Sequence, residues 1–292
     1  MLLLLNMEII KKKFISNDSS PVIGEGIIFR IFVAFHTPIS CKLPFFIRSG
    51  EVITVDWGEG TIEQYTNSVS NISKYLKFNT DTYLDVTIKT NMNDIAVSRL
   101  NVGLSDVYEV ISWGDKPIVS VQDSGFGLFE QEEKLVTIAE DINNVLFTAN
   151  TDARFMFSGC TNLVSVPELD TSNCIYMNDM FVNTSNLQTV YGLDLSSVTD
   201  LHQITGTLFR GYFPKLNKIY LTNLGKSPVT YFEFKDCTKW DVESMLYTAE
   251  HSFDLKANNE DTKTIQLYMM AGNEDAVDIW KSKGYTVKGY MG

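Results

Sequence analysis

Two adjacent stretches of this chain repeat one another at a fixed offset, and that repeat limits the folds open to it. Met156-Phe157-Ser158-Gly159-Cys160-Thr161-Asn162-Leu163 aligns with Met180-Phe181-Val182-Asn183-Thr184-Ser185-Asn186-Leu187. The match runs on through Val166/Val190, Leu169/Leu193, Asp170/Asp194 and Ser172/Ser196, always 24 residues apart. Eight of the 24 aligned positions are identical, where average amino-acid usage gives about one or two. A period in the twenties fits a solenoid whose units are each one strand plus a turn or short helix. Stacked units bury a shared core and offer a broad face to partners, so binding is the default expectation.

At 292 residues, with 44% hydrophobic and 21% charged residues, the chain has the composition of a soluble globular protein large enough for about two domains. The net charge of −12 and a single tight basic run, Lys11-Lys12-Lys13, argue against a nucleic-acid partner, which needs clustered Lys and Arg. Cys41, Cys160, Cys174 and Cys237 are separated by 119, 14 and 63 residues, and His36, His202 and His251 are scattered. A zinc site draws its ligands from short paired spacings, so no structural metal is expected. Cys160 and Cys174 occupy repeat positions filled by Thr184 and Val198 in the next unit. Small residues interchange there, which reads as buried free thiol.

Leu2 to Leu5 is too short for a signal-peptide core, no basic residue precedes it, and Met7 is an equally good initiator. Ile27 to Phe35 followed by Ile39-Ser40-Cys41 imitates a lipoprotein signal, but Arg30 interrupts the apolar run and Pro38 stands where small residues belong. Strand is the better reading. No segment reaches the ~18 apolar residues of a membrane-spanning helix, so no membrane insertion is expected.

From residue 22 to about 100, short strands alternate with turn chemistry. They are expected at Ile27–Phe35, Leu43–Ile47, Val52–Asp56, Thr61–Tyr65 and Leu84–Lys89. In the last of these Leu84, Val86 and Ile88 face one way and Asp85, Thr87 and Lys89 the other. Several strands at this spacing predict a β-sandwich. Beyond residue 100 a Leu/Ile-x-x-Ile/Val doublet recurs as Ile118/Val121, Leu135/Ile138, Leu163/Val166, Leu187/Val190 and Leu216/Ile219, at steps of 17, 28, 24 and 29 residues. Within a unit Met-Phe opens a short helical or turn segment, Asn-Leu leads into the strand, and Leu-Asp-x-Ser leaves it. Leu208-Phe209 and Leu216 form a third copy with insertions that include Pro214. Ile111-Ser112-Trp113-Gly114-Asp115 is placed to seal the open end.

Two resemblances follow from these motifs. Ile53-Thr54-Val55-Asp56-Trp57-Gly58-Glu59-Gly60-Thr61 resembles the signature of PKD-like β-sandwich modules, a strand followed by Asp-(Trp/Phe)-Gly-Asp-Gly, with Glu59 in place of the second Asp. The copy at 156–179 resembles a BspA-like leucine-rich repeat through Met156, Phe157, Cys160, Leu163, Asp170, Ser172 and Met177; the next copy carries Thr184 for the Cys and Leu201 for the Met. The tail is similar to caps of such arrays in phage tail proteins and bacterial surface proteins. Asp241 N-caps a helix with Ser244 in its first turn, Ile265-Gln266-Leu267 is a strand, Glu274 to Lys283 is a helix with Ala276, Val277 and Trp280 on one face, and Gly284-Tyr285-Thr286-Val287 closes.

The expectation is a mainly β chain with short helices (α+β): an N-terminal segment (1–21), a PKD-like β-sandwich (22–104), a short irregular leucine-rich-repeat solenoid (105–239) and a C-terminal α/β cap (240–292). The resemblance implies a non-enzymatic binding or structural protein on a surface. The favoured setting is a phage virion, tail or fibre associated, meeting a host-surface protein or glycan or other virion proteins; the alternative is a BspA-like bacterial adhesin. No Gly-x-Ser-x-Gly elbow, phosphate loop or His-Glu-x-x-His is present, and Gly24-Glu25-Gly26 and Gly125-Phe126-Gly127 do not continue into dinucleotide fingerprints. No catalytic, cofactor-binding or metal-binding residue is therefore expected.

Asp56 and Glu59 have two chemical readings, a carboxylate pair of a carbohydrate-active enzyme and a calcium site. A turn with hydrogen-bonding side chains accounts for them better, because no other acid cluster completes a shell. Phe209, Tyr212, Phe213, Tyr220, Tyr231, Phe232 and Phe234 are the candidate contact aromatics, although repeat cores bury many such rings. No partner-binding residue is singled out among them.

Overall fold

The computed structural model describes residues 26–43, 45, 47–66, 72–97, 107–120, 127–148, 151–199, 208–209, 211, 213–268 and 272–290. The segment 1–21 with Lys11 to Lys13, and Gly24-Glu25, Val121, Gly125-Phe126, Leu201, His202 and Tyr212, lie outside the described residues. The fold is mainly β, with two short helices among the described residues and no closed barrel.

Alternating apolar residues set the first strands. Strand β1 (Ile27–Val33) buries Ile27, Phe29, Ile31 and Val33. It lies between β6 (Thr82–Thr90) and β8 (Val107–Ser112), antiparallel to both. On the far side of β6 come β3 (Val52–Asp56) and the edge strand β4 (Ile62–Thr66), one residue later than expected. The strand expected at Leu43–Ile47 is instead β2 (Ile39–Leu43). Every second residue from Ile39 to Ile47 is apolar, and Ile39, Cys41, Leu43, Phe45 and Ile47 are all buried, so the alternation begins earlier than the densest apolar run. Strand β2 pairs with β5 (Ile72–Leu76), while β7 (Ile95–Val97) bridges Phe45 and runs parallel to β9 (Ile118–Ser120).

The turn before β3 is held by a buried acid. Glu51 accepts from the Arg48 backbone N–H (2.9 Å), the Arg48 guanidinium (3.1 Å) and the Thr90 hydroxyl (2.8 Å). Burial opposes ionisation of Glu51, but these donors together outweigh it and hold the carboxyl below its ordinary value. Glu59 and Glu63 are also lowered, first by the Lys74 ammonium. All three carboxyls bind protons more weakly in the folded than in the unfolded chain. Their contribution is therefore present above the unfolded value and lost as pH falls through the lower folded ones. Urea midpoints are expected to drop between about pH 5 and about pH 3, and less steeply in Glu51→Gln; equal slopes for the two chains would refute the assignment.

Antiparallel pairing gives way to parallel pairing at β8. Its other edge takes β10 (Thr137–Ile138) in parallel register, Glu109 facing Thr137 and Val110 facing Ile138. The Val164 N–H then bonds the Val136 carbonyl at 3.2 Å, leading to β12 (Ser165–Val166), β14 (Thr189–Asp194) and β15 (Lys218–Thr222), all parallel. The repeat offset is visible in the register, with Val166 paired to Val190 and Val190 to Ile219. On the other side of the units β11 (Thr151–Asp152) pairs in parallel with β13 (Cys174–Tyr176), and the Thr199 N–H bonds the Ile175 carbonyl at 2.8 Å.

Between these two sets of strands runs a column of phenylalanines. Phe129, Phe157, Phe181 and Phe209 stack at 5.8, 5.7 and 5.3 Å with interplanar angles of 10° or less. All four are buried. Trp113 and Phe29 meet Phe129 edge-on at one end, and Phe234, Trp240 and Trp280 continue from Phe209 at the other. The Met-Phe segments are tight turns, not helices. In each, the N–H three residues after the Phe bonds the Phe carbonyl, and the N–H three residues later bonds that residue in turn. Phe157-Cys160-Leu163 and Phe181-Thr184-Leu187 do this, as do Phe129-Glu132-Leu135 and Phe234-Cys237-Trp240. The structure thus contains two copies of the turn that the sequence comparison did not align.

Side chains join consecutive units. The Cys160 thiol and the Thr184 hydroxyl each donate to the phenylalanine carbonyl one unit back, Phe129 (3.0 Å) and Phe157 (2.9 Å). This equivalence explains why Cys and Thr alternate there, and both side chains are fully buried. Asn162 and Asn186 donate to the Glu133 and Thr161 carbonyls of the preceding unit, both at 2.7 Å. Asp170 and Asp194 accept the N–H of Ser172 and Ser196, closing the Leu-Asp-x-Ser exit.

The C-terminal part alternates strand and helix: β16 (Tyr231–Phe234), α1 (Val242–Glu250), β17 (Thr264–Tyr268), α2 (Glu274–Ser282) and β18 (Thr286–Tyr290), with the three strands parallel. Asp241 caps α1 by accepting the Ser244 N–H at 2.8 Å. Helix α2 buries Ala276, Val277 and Trp280, the face its spacing predicts.

Candidate functional site

The parallel register sorts each unit into rows. Val166, Val190 and Ile219 point into the core, so their neighbours on either side point outward. The row before them is Ser165, Thr189 and Lys218; the row after is Pro167, Tyr191 and Tyr220. Between Val190 and Leu193 the ladder slips by one residue, a bulge at Tyr191-Gly192 opposite Tyr220. Gly192 has φ +60°, and a Cβ there would lie 2.7 Å from the Glu168 side chain. A side chain there would have to displace Glu168 and hold the left-handed backbone, so the bulge favours glycine, and it sets Tyr191 beside Tyr220.

The result is an aromatic row across β14, β15 and α1. Tyr191 stacks on Tyr220 at 5.7 Å and 5°. Tyr220 meets Tyr247 edge-on at 5.3 Å, and Tyr247 carries the His251 ring at 3.9 Å. The His251 Nδ1 is 2.7 Å from the Tyr247 carbonyl. Tyr191 is 37% exposed. Burial raises the proton affinity of the Tyr220 hydroxyl, Lys218 works against it, and Glu243 and Asp241 reinforce it. Glu243, Asp241 and the Lys218 ammonium thus all act on this end of the row, with exposed Glu168 at the foot of the other.

A second outward aromatic group sits on the antiparallel part of the sheet. Phe32 meets Tyr83 at 4.9 Å and Tyr83 meets Tyr108 at 5.3 Å, beside Arg30, which bridges Asp85 (2.7 Å) and Glu109 (3.0 Å). Elsewhere Arg154 lies over the Tyr176 ring at 5.1 Å.

The residues flagged from sequence fall in several places. Asp56 accepts the Gly58 N–H at 2.9 Å, and Glu59 accepts from the Thr61 hydroxyl at 2.9 Å and pairs with Lys74 at 2.6 Å. Both acids are engaged in their own turn, and Trp57 is fully buried beneath them. Gly58 has φ +75° and its Cβ would come 2.8 Å from the Asp85 carbonyl. Gly58→Ala is expected to cost about 1–3 kcal/mol, read as a lower denaturant midpoint; an unchanged midpoint would show that the turn relaxes freely. His36 stands in a turn against Phe35, past the end of β1, and His251 ends α1. None of the four cysteines is in a disulfide and all four are buried, and burial drives the thiols of Cys160, Cys174 and Cys237 far above their ordinary range.

Of the candidate contact aromatics, Phe209, Phe213, Phe232 and Phe234 are core, while Tyr220 and Tyr231 reach the surface. Sequence reasoning missed Tyr191 and Tyr247. Tyr191 had a usable signal, since it directly follows the inward Val190 of its doublet and so must face outward. Among the described residues no cluster of three or more His, Cys, Asp or Glu side chains could hold a metal ion, and no helix is long and apolar enough to cross a membrane. A scan against protein-family models finds no match, and searches of curated proteins and of solved structures find none either.

Proposed function

We propose that this chain is a non-enzymatic surface-display protein, a PKD-like β-sandwich joined to a short BspA-like leucine-rich-repeat solenoid with its own cap, and that it serves in a phage virion as a tail- or fibre-associated part. The observation that supports this reading most is the outward aromatic row carried on a stack of repeated units whose two ends are both covered. The antiparallel sheet occupies one end at β8. At the other, α1 supplies side chains to the last strand: Ser244 accepts the Ile219 N–H, Thr248 accepts the Leu221 N–H (3.1 Å), and Trp240 donates to the Ile219 carbonyl (3.1 Å). A stack closed in this way has a fixed length, which suits a component of defined size in an assembled particle, and it leaves its sheet face for a partner.

Mass spectrometry and immunogold labelling of purified particles from the source culture test the setting, and a whole-cell pull-down with the purified chain tests binding. Presence in particles together with cell or virion-protein binding is the expected result. Detection on bacterial cells and not in particles would replace the virion reading with that of a surface adhesin.

A further inference from the structure

We infer that the tyrosine row on β14 and β15 is a binding strip for an uncharged oligosaccharide, with Tyr191 as its stacking wall. This rests on the surface-binding reading above and names the partner class for that face.

Three observations carry the assignment. The row ends in a step. On one side Tyr191 is stacked by Tyr220, and on the other the neighbouring strand places Pro167 at the same level, followed by Ala139 one strand further on. A large, 37% exposed ring thus stands over a floor of small residues. Sugar rings present C–H faces to such aromatic walls while their hydroxyls bond polar neighbours, the combination of apolar body and polar tip that tyrosine offers.

The row is also one residue wide. Ser165, Thr189 and Lys218 flank it below, and Glu168, Gly192 and Asp194 above. A protein partner covers a wide patch of about 800 Å² per side around a packed, desolvated centre, whereas a glycan chain needs a narrow aromatic track with hydrogen-bonding margins. Finally, the margins are acidic. Glu168 stands at the foot of the bulge, and Glu243 and Asp241 lie within electrostatic reach of Tyr220, so that carboxylates outnumber the Lys218 ammonium acting on the same ring. Like charge repels phosphorylated, sulfated or sialylated chains, and a carboxylate accepts hydrogen bonds from neutral sugar hydroxyls.

The test is a glycan array with the purified full chain, followed by titration of the best neutral oligosaccharide. Tyr191→Ala is expected to weaken binding about tenfold or more, with an unchanged melting temperature, while Tyr191→Phe keeps most of the affinity. Tyr176→Ala, at a ring of equal exposure on the opposite strands, is expected to bind as the unsubstituted chain does. Preference for anionic glycans, or equal binding by Tyr191→Ala, would overturn the assignment. A silent array combined with retained cell binding would overturn the glycan strip alone, and loss of both would overturn the surface-binding reading as well.

Discussion

Phe157→Ala is expected to lower the stability of the chain by about 3–5 kcal/mol. The ring is fully buried and lies between Phe129 and Phe181, at 5.8 and 5.7 Å. Its removal leaves a hole in the middle of a column whose neighbours are fixed by backbone bonds: the Phe157 N–H donates to the Met180 carbonyl, and the Phe129 N–H to that of Met156. The turns cannot close the gap without breaking these bonds, so little relaxation offsets the cavity. Native stabilities of about 5–15 kcal/mol make such a loss severe. Phe157→Leu retains most of the buried volume and gives up the ring contacts, so a loss nearer about 1–3 kcal/mol is expected. Equilibrium urea denaturation decides it. A Phe157→Ala midpoint within error of the unsubstituted chain would show that the column does not hold the units together, and additive effects of Phe157→Ala and Phe181→Ala would show that its rings act independently.

How much of this was legible in the sequence depended on the range of the signal. Local rules worked where the cause is local. The alternation at Leu84, Val86 and Ile88, the Asp241 cap and the buried face of Ala276, Val277 and Trp280 all follow from spacing within one element. The 24-residue offset foretold the register of Val166 on Val190. The first copy of the turn stayed hidden because the polar run Glu130-Gln131-Glu132-Glu133 directly follows Phe129, which disguises a turn whose phenylalanine is core. The copy at Phe234 was hidden by Trp240 standing where other units have leucine, and by a helix following it where they have a strand. Strand β5 escaped because Lys74 holds the middle position on the face that buries Ile72 and Leu76, which breaks the apolar alternation.

The change of rhythm near residue 100 marks a switch from antiparallel to parallel pairing at β8, with hydrogen bonds continuing across it. Pairing partners are non-local, and no window of sequence names them. The aromatic row was missed for a related reason: Tyr191, Tyr220 and Tyr247 lie on three different elements and meet only through register and the bulge at Gly192.

The helix that closes the stack gives the second large effect. Among the described residues no strand lies beyond β15, yet its backbone groups at Ile219 and Leu221 are buried with their side chains. Ser244 and Thr248, one turn apart on α1, take the two N–H groups, and the Thr248 hydroxyl also donates to the Ile219 carbonyl at 3.2 Å. Helix side chains thus stand in for the next strand's carbonyls. Thr248→Val keeps the shape and removes the acceptor, which strands the Leu221 N–H at a cost of about 1–3 kcal/mol. Ser244→Ala does the same to Ile219 and also removes the hydroxyl bonded to Asp241 at 2.6 Å. The double variant is expected to lose the sum of the two, because each hydroxyl serves a different N–H. With α1 held less firmly, the strand edge beneath it becomes a template for a second chain. Sedimentation velocity should therefore show concentration-dependent association beyond that of the unsubstituted chain, alongside the lower urea midpoint. A double variant with an unchanged midpoint and sedimentation profile would show that apolar packing of α1 closes the stack without help from its hydroxyls.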